Sequence, residues 1–161
     1  MARVLIVDDD AGVRYALTEV LDRMGHQTLA VETAARALEE AGRMEFDVLL
    51  TDIRMPEMDG IELLRRLREV APRVVPIVIT GYPSPETAQE ALEERAVDYI
   101  IKPFQKGDLS AAIAHALQRR VVAEETGVHA KKQQYRSSRG EETGSAPKGG
   151  FRRGGAGGRI T

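Results

Sequence analysis

Short aliphatic runs alternate with longer segments of helical period over the first 120 residues. The runs fall at residues 4–7, 28–31, 48–51, 75–79 and 97–101. Most are apolar at consecutive positions, the pattern of strands buried on both faces of a parallel sheet. Between them, Val13, Leu17, Val20, Leu21 and Met24 form one helical stripe; Ile61, Leu64 and Leu67 form another; Leu109, Ile113, Ala116 and Leu117 form a third. Gly25 and Gly42 stand where helices should stop. Ser84-Pro85 puts a capping hydroxyl before a proline at a first helical position. Five β–α units result. The predicted fold is a doubly wound, flavodoxin-like α/β sandwich with five parallel strands in the order 2-1-3-4-5 and five helices.

In such folds ligands bind beyond the carboxyl ends of the strands. Strand one ends in Asp8-Asp9-Asp10, strand three in Asp52, strand four in Thr80-Gly81 and strand five in Lys102-Pro103. Strands one, three and four are predicted neighbours, so these groups share one rim. Two unit charges 4 Å apart cost about 4 kcal/mol at an effective dielectric near 20. The acidic cluster therefore needs counter-charge. Lys102 supplies one, and a divalent cation supplies two. All-oxygen ligands suit Mg2+. Any single strand-end Asp can instead be a helix cap, and one of Asp8 to Asp10 is expected to be one. Four strands delivering carboxylates, a hydroxyl and an ammonium to the same place favour the functional reading.

These residues resemble the receiver domain of two-component response regulators. The matching stretches are Val7-Asp8-Asp9, Asp52-Ile-Arg-Met-Pro-Glu-Met-Asp-Gly60, Ile79-Thr80-Gly81-Tyr82 and Lys102-Pro103-Phe104. The resemblance covers about residues 2–120, and its lean motifs are similar to receivers of the nitrogen-regulation activator type. It implies a phosphorylation switch rather than a conventional enzyme, one that assists only its own phosphotransfer and dephosphorylation. Asp52 would be the phosphoacceptor. Asp9, Asp52 and the backbone carbonyl of Arg54 would bind Mg2+, with Asp8 acting through water. Thr80 and Lys102 would contact the phosphoryl group. Tyr99 would turn inward after Thr80, and the Lys102–Pro103 bond would be cis. Side chains at Arg54 and Tyr82 would tune hydrolysis, with Tyr82 shielding the phosphoryl group. The donor would be a histidine kinase or a histidine phosphotransfer protein. The readout would be the face of helix four, strand five and helix five, binding a downstream protein or a second copy of the chain. Helix four, residues 85–95, has Leu92 as its only large apolar residue, and weak anchoring makes an element easy to shift.

Composition narrows the alternatives. The chain has no cysteine, which excludes disulfides and thiolate chemistry and fits a reducing cytoplasm. No apolar run approaches the roughly 20 residues needed to span a bilayer, so no membrane role is expected. His26, His115 and His129 are scattered, without metal-ligand spacing. Arg36, Arg65, Arg66 and Arg68 are read as solvated helix faces. A phosphatase of the haloacid dehalogenase class would make Asp8 the nucleophile and Asp10 the acid. It leaves Asp52 unexplained, and Glu124-Glu125 do not follow a strand. A flavin site after strand one would meet three aspartates that repel its phosphate.

The charge is divided unevenly. Residues 1–125 hold 15 Lys and Arg against 23 Asp and Glu; residues 126–161 hold 8 against 2. The second stretch also holds nine of the 15 glycines. The boundary is placed at 122, with 1–122 the receiver and 123–161 a disordered basic tail. No ATPase loop follows the receiver, so a stand-alone receiver or an activator remnant is expected. An Arg/Gly-rich tail with Tyr135 and Phe151 could also bind nucleic acid as the output.

Overall fold

The computed structural model describes residues 1–120. The expected tail, 123–161, and the boundary at 122 lie outside them. The elements alternate strictly: β1 (Arg3–Val7), α1 (Ala11–Arg23), β2 (Gln27–Val31), α2 (Ala34–Arg43), β3 (Val48–Thr51), α3 (Gly60–Val70), β4 (Val75–Thr80), α4 (Pro85–Glu93) and β5 (Asp98–Ile101). A fifth helix, α5, occupies residues 106–120. The five strands form one parallel sheet in the order β2-β1-β3-β4-β5. This is the predicted architecture, with strand bounds shifted by one residue at most.

Alternation along the strands divides the core between the two faces. Val4 and Ile6 of β1 join Leu17 and Leu21 of α1 and Leu109 and Ile113 of α5 on one side. Leu5 and Val7 join Ala34, Ala37 and Ala41 of α2, Ile61, Leu64 and Leu67 of α3, and Ala91 of α4 on the other. Both faces are covered, which is why β3 and β4 are buried at every position.

The helix boundaries have local causes. Asp10 caps α1, its carboxylate accepting from the amides of Gly12 and Val13. Gly25 follows α1 at φ +90°, as a C-terminal glycine should. Ser84 caps α4 from just before Pro85, accepting from the amide of Thr87. Gly42 corrects the reading. It does not end its helix: α2 continues to Arg43, and Met44 leaves it in an extended conformation. A Cβ placed on Gly42 would lie 3.6 Å from the Val70 side chain, so this glycine packs within the last turn against α3. Leu92 is the large apolar residue of α4. It is exposed, and the one buried residue of α4 is Ala91.

Candidate functional site

The turns after β1, β3, β4 and β5 build one rim. Asp8 extends β1 and is fully buried. Its Oδ1 accepts from the Asp10 amide at 2.9 Å, and its Oδ2 receives Lys102 Nζ at 2.8 Å. Asp52 follows β3, and its amide continues the ladder to the Val7 carbonyl. Its Oδ1 accepts from the Ile53 amide at 2.8 Å, and its Oδ2 lies 3.3 Å from Lys102 Nζ. Asp9 is exposed beside them. One carboxylate oxygen from each of Asp8, Asp9 and Asp52 falls within 4.8 Å of the other two.

Three carboxylates face a single ammonium. Burial and the neighbouring Asp8 hold the Asp52 carboxyl above the ordinary Asp range, although Lys102 pulls the other way. Lys102 moves upward too. Burial alone would lower it, but its hydrogen bond to Asp8 and the charges of Asp8 and Asp52 outweigh that. Lys102 is closer to Asp8 than to Asp52, so Asp8 is the better compensated and Asp52 carries the excess negative charge. A cluster with surplus negative charge and only oxygen ligands fits a divalent cation of the Mg2+ type. Asp9, Arg54 and Asp59 line a shallow open depression beside it, so the site is reached from solvent.

The remaining predicted residues fall into two groups. Thr80 is fully buried at the end of β4, one strand over from Asp52 on the same rim. Its Oγ1 accepts from the Tyr82 amide at 3.1 Å, and its carbonyl accepts from the Lys102 amide at 2.8 Å. The Lys102–Pro103 peptide is cis. Arg54 and Tyr82 are exposed, and they meet: the guanidinium lies 4.2 Å from the centroid of the Tyr82 ring. Tyr99 stands apart from the carboxylates. It is half-buried, and its hydroxyl bonds to Thr87 at 2.8 Å and accepts from the Ser84 amide at 3.4 Å.

Sequence reasoning missed several contributors. Gly60 was visible only as part of a motif. Its amide donates to the Ile53 carbonyl at 2.8 Å, and a Cβ there would lie 2.0 Å from the Asp52 carbonyl oxygen. The loop from Asp52 to α3 can fold back only around a glycine. Asp59 caps α3 through the Glu62 amide and fixes the loop's far end. The Thr51 hydroxyl bonds the Asp52 carbonyl at 2.8 Å. Arg14 of α1 donates to the Asp8 carbonyl at 2.7 Å, bringing a cation to the rim. A basic residue six positions after a strand-end Asp was a weak signal that one helical turn brings it back.

A family model described as the response regulator receiver domain matches residues 4–114. The chain belongs to the response-regulator receiver family. Receivers are phosphorylation switches, and the phosphoacceptor role is general to them. As a family they bind Mg2+ in an acidic pocket and interact with histidine kinases and phosphotransfer proteins. This receiver is 42% identical over 116 residues to the regulatory protein AtoC of Escherichia coli, a match covering 72% of this chain and 25% of that protein. It is 33% identical over 111 residues to sporulation initiation phosphotransferase F of Bacillus subtilis, covering 69% of this chain and 90% of that protein. The matched region is thus about a quarter of the length of AtoC and of comparable regulatory relatives and nearly the whole of the phosphotransferase. A CheY-like receiver domain protein from Methanospirillum hungatei superposes with a TM-score of 0.73 at 32% identity, covering 76% of this receiver and 98% of that chain.

Proposed function

We propose that Asp52 accepts a phosphoryl group from a phosphohistidine on a partner kinase or phosphotransfer protein. The observation that carries this reading is the meeting of Asp8, Asp9 and Asp52 around one incompletely shared lysine. Asp52 is the least compensated of the two buried carboxylates, and its rim opens to solvent.

An Asp52 oxygen attacks phosphorus as the P–N bond of the donor breaks. The imidazole nitrogen leaves with the electron pair, and the product is an acyl phosphate carrying roughly -1.5 to -2 charge. Two anions must approach for this to happen. Lys102 offsets part of the repulsion and pairs with a phosphoryl oxygen in transfer. Mg2+, held by Asp9, Asp52 and the Arg54 carbonyl, with Asp8 acting through water, would supply the remaining positive charge. Thr80, at the end of the neighbouring strand, would offer its hydroxyl to the new group. The chain turns over no separate substrate; it assists only the gain and loss of its own phosphoryl group. With a kinase that draws on ATP as donor, the activity would belong to the cytoplasm.

The signal would pass to a downstream protein through the face formed by α4, β5 and α5. Tyr99 supports that route, because its hydroxyl already ties β5 to the first turn of α4. A second copy of the chain could use the same face. Incubation with acetyl phosphate tests the reading. Label should enter the wild type with Mg2+ and fail to enter with a chelator or in Asp52→Asn. Equal labelling of Asp52→Asn and wild type would end it.

A further inference from the structure

A cavity of about 510 Å³ lies between the last turn of α3, the end of α4 and the start of β4, at the other end of β4 from Thr80. That volume is within the roughly 300–1,000 Å³ of small-molecule sites. The floor is apolar. Leu64 and Leu67 of α3, both buried, line it together with Val74 and Pro76 at the start of β4. The edge is charged. Arg65, Arg68 and Arg95 stand there with Glu69 and Glu94, so positive groups outnumber negative ones by one. Glu94 is already committed, receiving Arg68 Nη1 at 2.8 Å and Arg65 Nε at 3.3 Å. Arg65 pairs with Glu62 as well. Arg95 is different. Its amide donates to the Leu92 carbonyl, but among the described residues its guanidinium has no hydrogen bond or ion pair. Its backbone sits at φ +72°, two residues past the end of α4, where a Cβ is strained and glycine is the usual occupant. Among the described residues the other non-glycine residue with positive φ is Glu57, in the loop after Asp52.

We propose that this cavity binds a small amphipathic carboxylate, its apolar body seated on Leu64, Leu67, Val74 and Pro76 and its carboxylate held by Arg95 and by the donors of Arg68 that Glu94 leaves unused. A guanidinium offers five N–H donors in a planar fork that matches a carboxylate two bonds at a time. Arg68 gives one nitrogen to Glu94, and that bond also fixes the plane of its guanidinium. Arg65, bonded to both Glu62 and Glu94, positions Glu94 rather than the ligand. The floor selects against a bare inorganic anion, which would leave the apolar surface uncovered. Glu69 and Glu94 select against a second negative charge, so the ligand carries one. The strain at Arg95 is a cost that glycine would not carry, and backbone strain of this kind collects at binding sites. A basic group near a helix C-terminus also favours the dipole, but any position in the last turn gives that without positive φ. The site stands apart from the Asp52 rim and does not rest on its phosphorylation.

The test titrates the full chain with naphthoate and, separately, with naphthylmethanol, its uncharged counterpart, read by backbone amide resonances. Naphthoate should bind the wild type saturably and move the amides of Leu67, Ala71 and Arg95, while those of Asp9 and Ile53 stay in place. Naphthylmethanol should bind at the same amides about tenfold more weakly, the loss expected for one charge-assisted contact. Arg95→Gly keeps the backbone conformation and relieves its strain, so this variant folds. It should unfold at a higher temperature than the wild type, bind naphthoate about tenfold more weakly and bind naphthylmethanol unchanged. Val74→Thr puts a hydroxyl on the floor and should weaken both compounds by the same factor. Asp52→Asn should bind naphthoate as the wild type does. Wild-type affinity for naphthoate in Arg95→Gly, or equal affinity of the wild type for the two compounds, would overturn the assignment of the carboxylate to Arg95. Shifts centred on Asp9, Ile53 and Lys102, or no saturable binding by the wild type, would overturn the site itself.

Discussion

Lys102 Nζ lies 2.8 Å from Asp8 Oδ2, joining the ends of β1 and β5 across the rim. Asp8 is fully buried, and its other oxygen is taken by the Asp10 amide. Removing Lys102 leaves a buried carboxylate without its counter-charge, beside a second one at Asp52. Lys102→Met should lower stability by about 2 kcal/mol, below the roughly 3–5 kcal/mol for breaking a fully buried pair because Lys102 is partly exposed. Added Mg2+ should restore more of the unfolding midpoint in the variant than in the wild type. Thermal unfolding of both proteins across a Mg2+ series checks this.

Asp52 should behave in the opposite sense. Its carboxyl is held above 3.8 in the folded chain, by burial first and then by Asp8. The folded state therefore binds this proton more tightly than the unfolded state. The associated stability is fully present below about pH 4 and is lost as pH rises through the higher folded value. Ionised Asp52 is thus a standing cost at neutral pH. Asp52→Asn should unfold at a higher temperature than the wild type at pH 7 in the absence of Mg2+, and the gap should close toward pH 4. Paired melts at several pH values measure it, the difference cancelling the other acids.

Arg54 and Tyr82 come from different loops and stack on one another. An exposed cation–π contact contributes about 0.5–1 kcal/mol, or roughly two- to fivefold in a rate it controls. If the pair screens the phosphoryl group from water, Tyr82→Ala and Arg54→Ala should each shorten the phosphorylated half-life by about that factor. The double variant should be no faster than the faster single one. Additive effects, or none, would show that the two side chains act separately.

Gly60 approaches the backbone of Asp52. A methyl group there would overlap the Asp52 carbonyl oxygen. Gly60→Ala should cost about 3 kcal/mol, the upper part of the overpacking range. It should also slow phosphorylation in whatever fraction remains folded, because relief requires the Asp52 peptide to move. Denaturant unfolding and initial labelling rates test the two parts.

The strand pattern made much of this molecule readable. Runs such as 48–51 are apolar on both faces, and only a sheet covered on both sides explains that. Once β1, β3, β4 and β5 were in order, parallel topology alone brought Asp8, Asp52, Thr80 and Lys102 to one edge. What local period cannot encode is which distant side chains meet. Arg65 and Arg68 read as solvated helix positions, yet both reach Glu94 from 26 or more residues away. The type of Leu92 does not tell its exposure, and the smaller Ala91 occupies the buried register. Gly42 read as a helix stop because glycine often is one, but the backbone there stays helical and the missing side chain makes room for Val70. Arg14 and Gly60 act on backbone carbonyls, which leave no trace in a pattern of side-chain types.

The account stands on the identity of the residue that takes the phosphate. Acyl phosphates are reduced by borohydride, which converts the modified aspartate to homoserine. Wild-type protein treated with acetyl phosphate and Mg2+, then reduced and mapped by peptide mass spectrometry, should carry homoserine at position 52 and nowhere else. Homoserine at Asp8 or Asp9, with Asp52 intact, would contradict it.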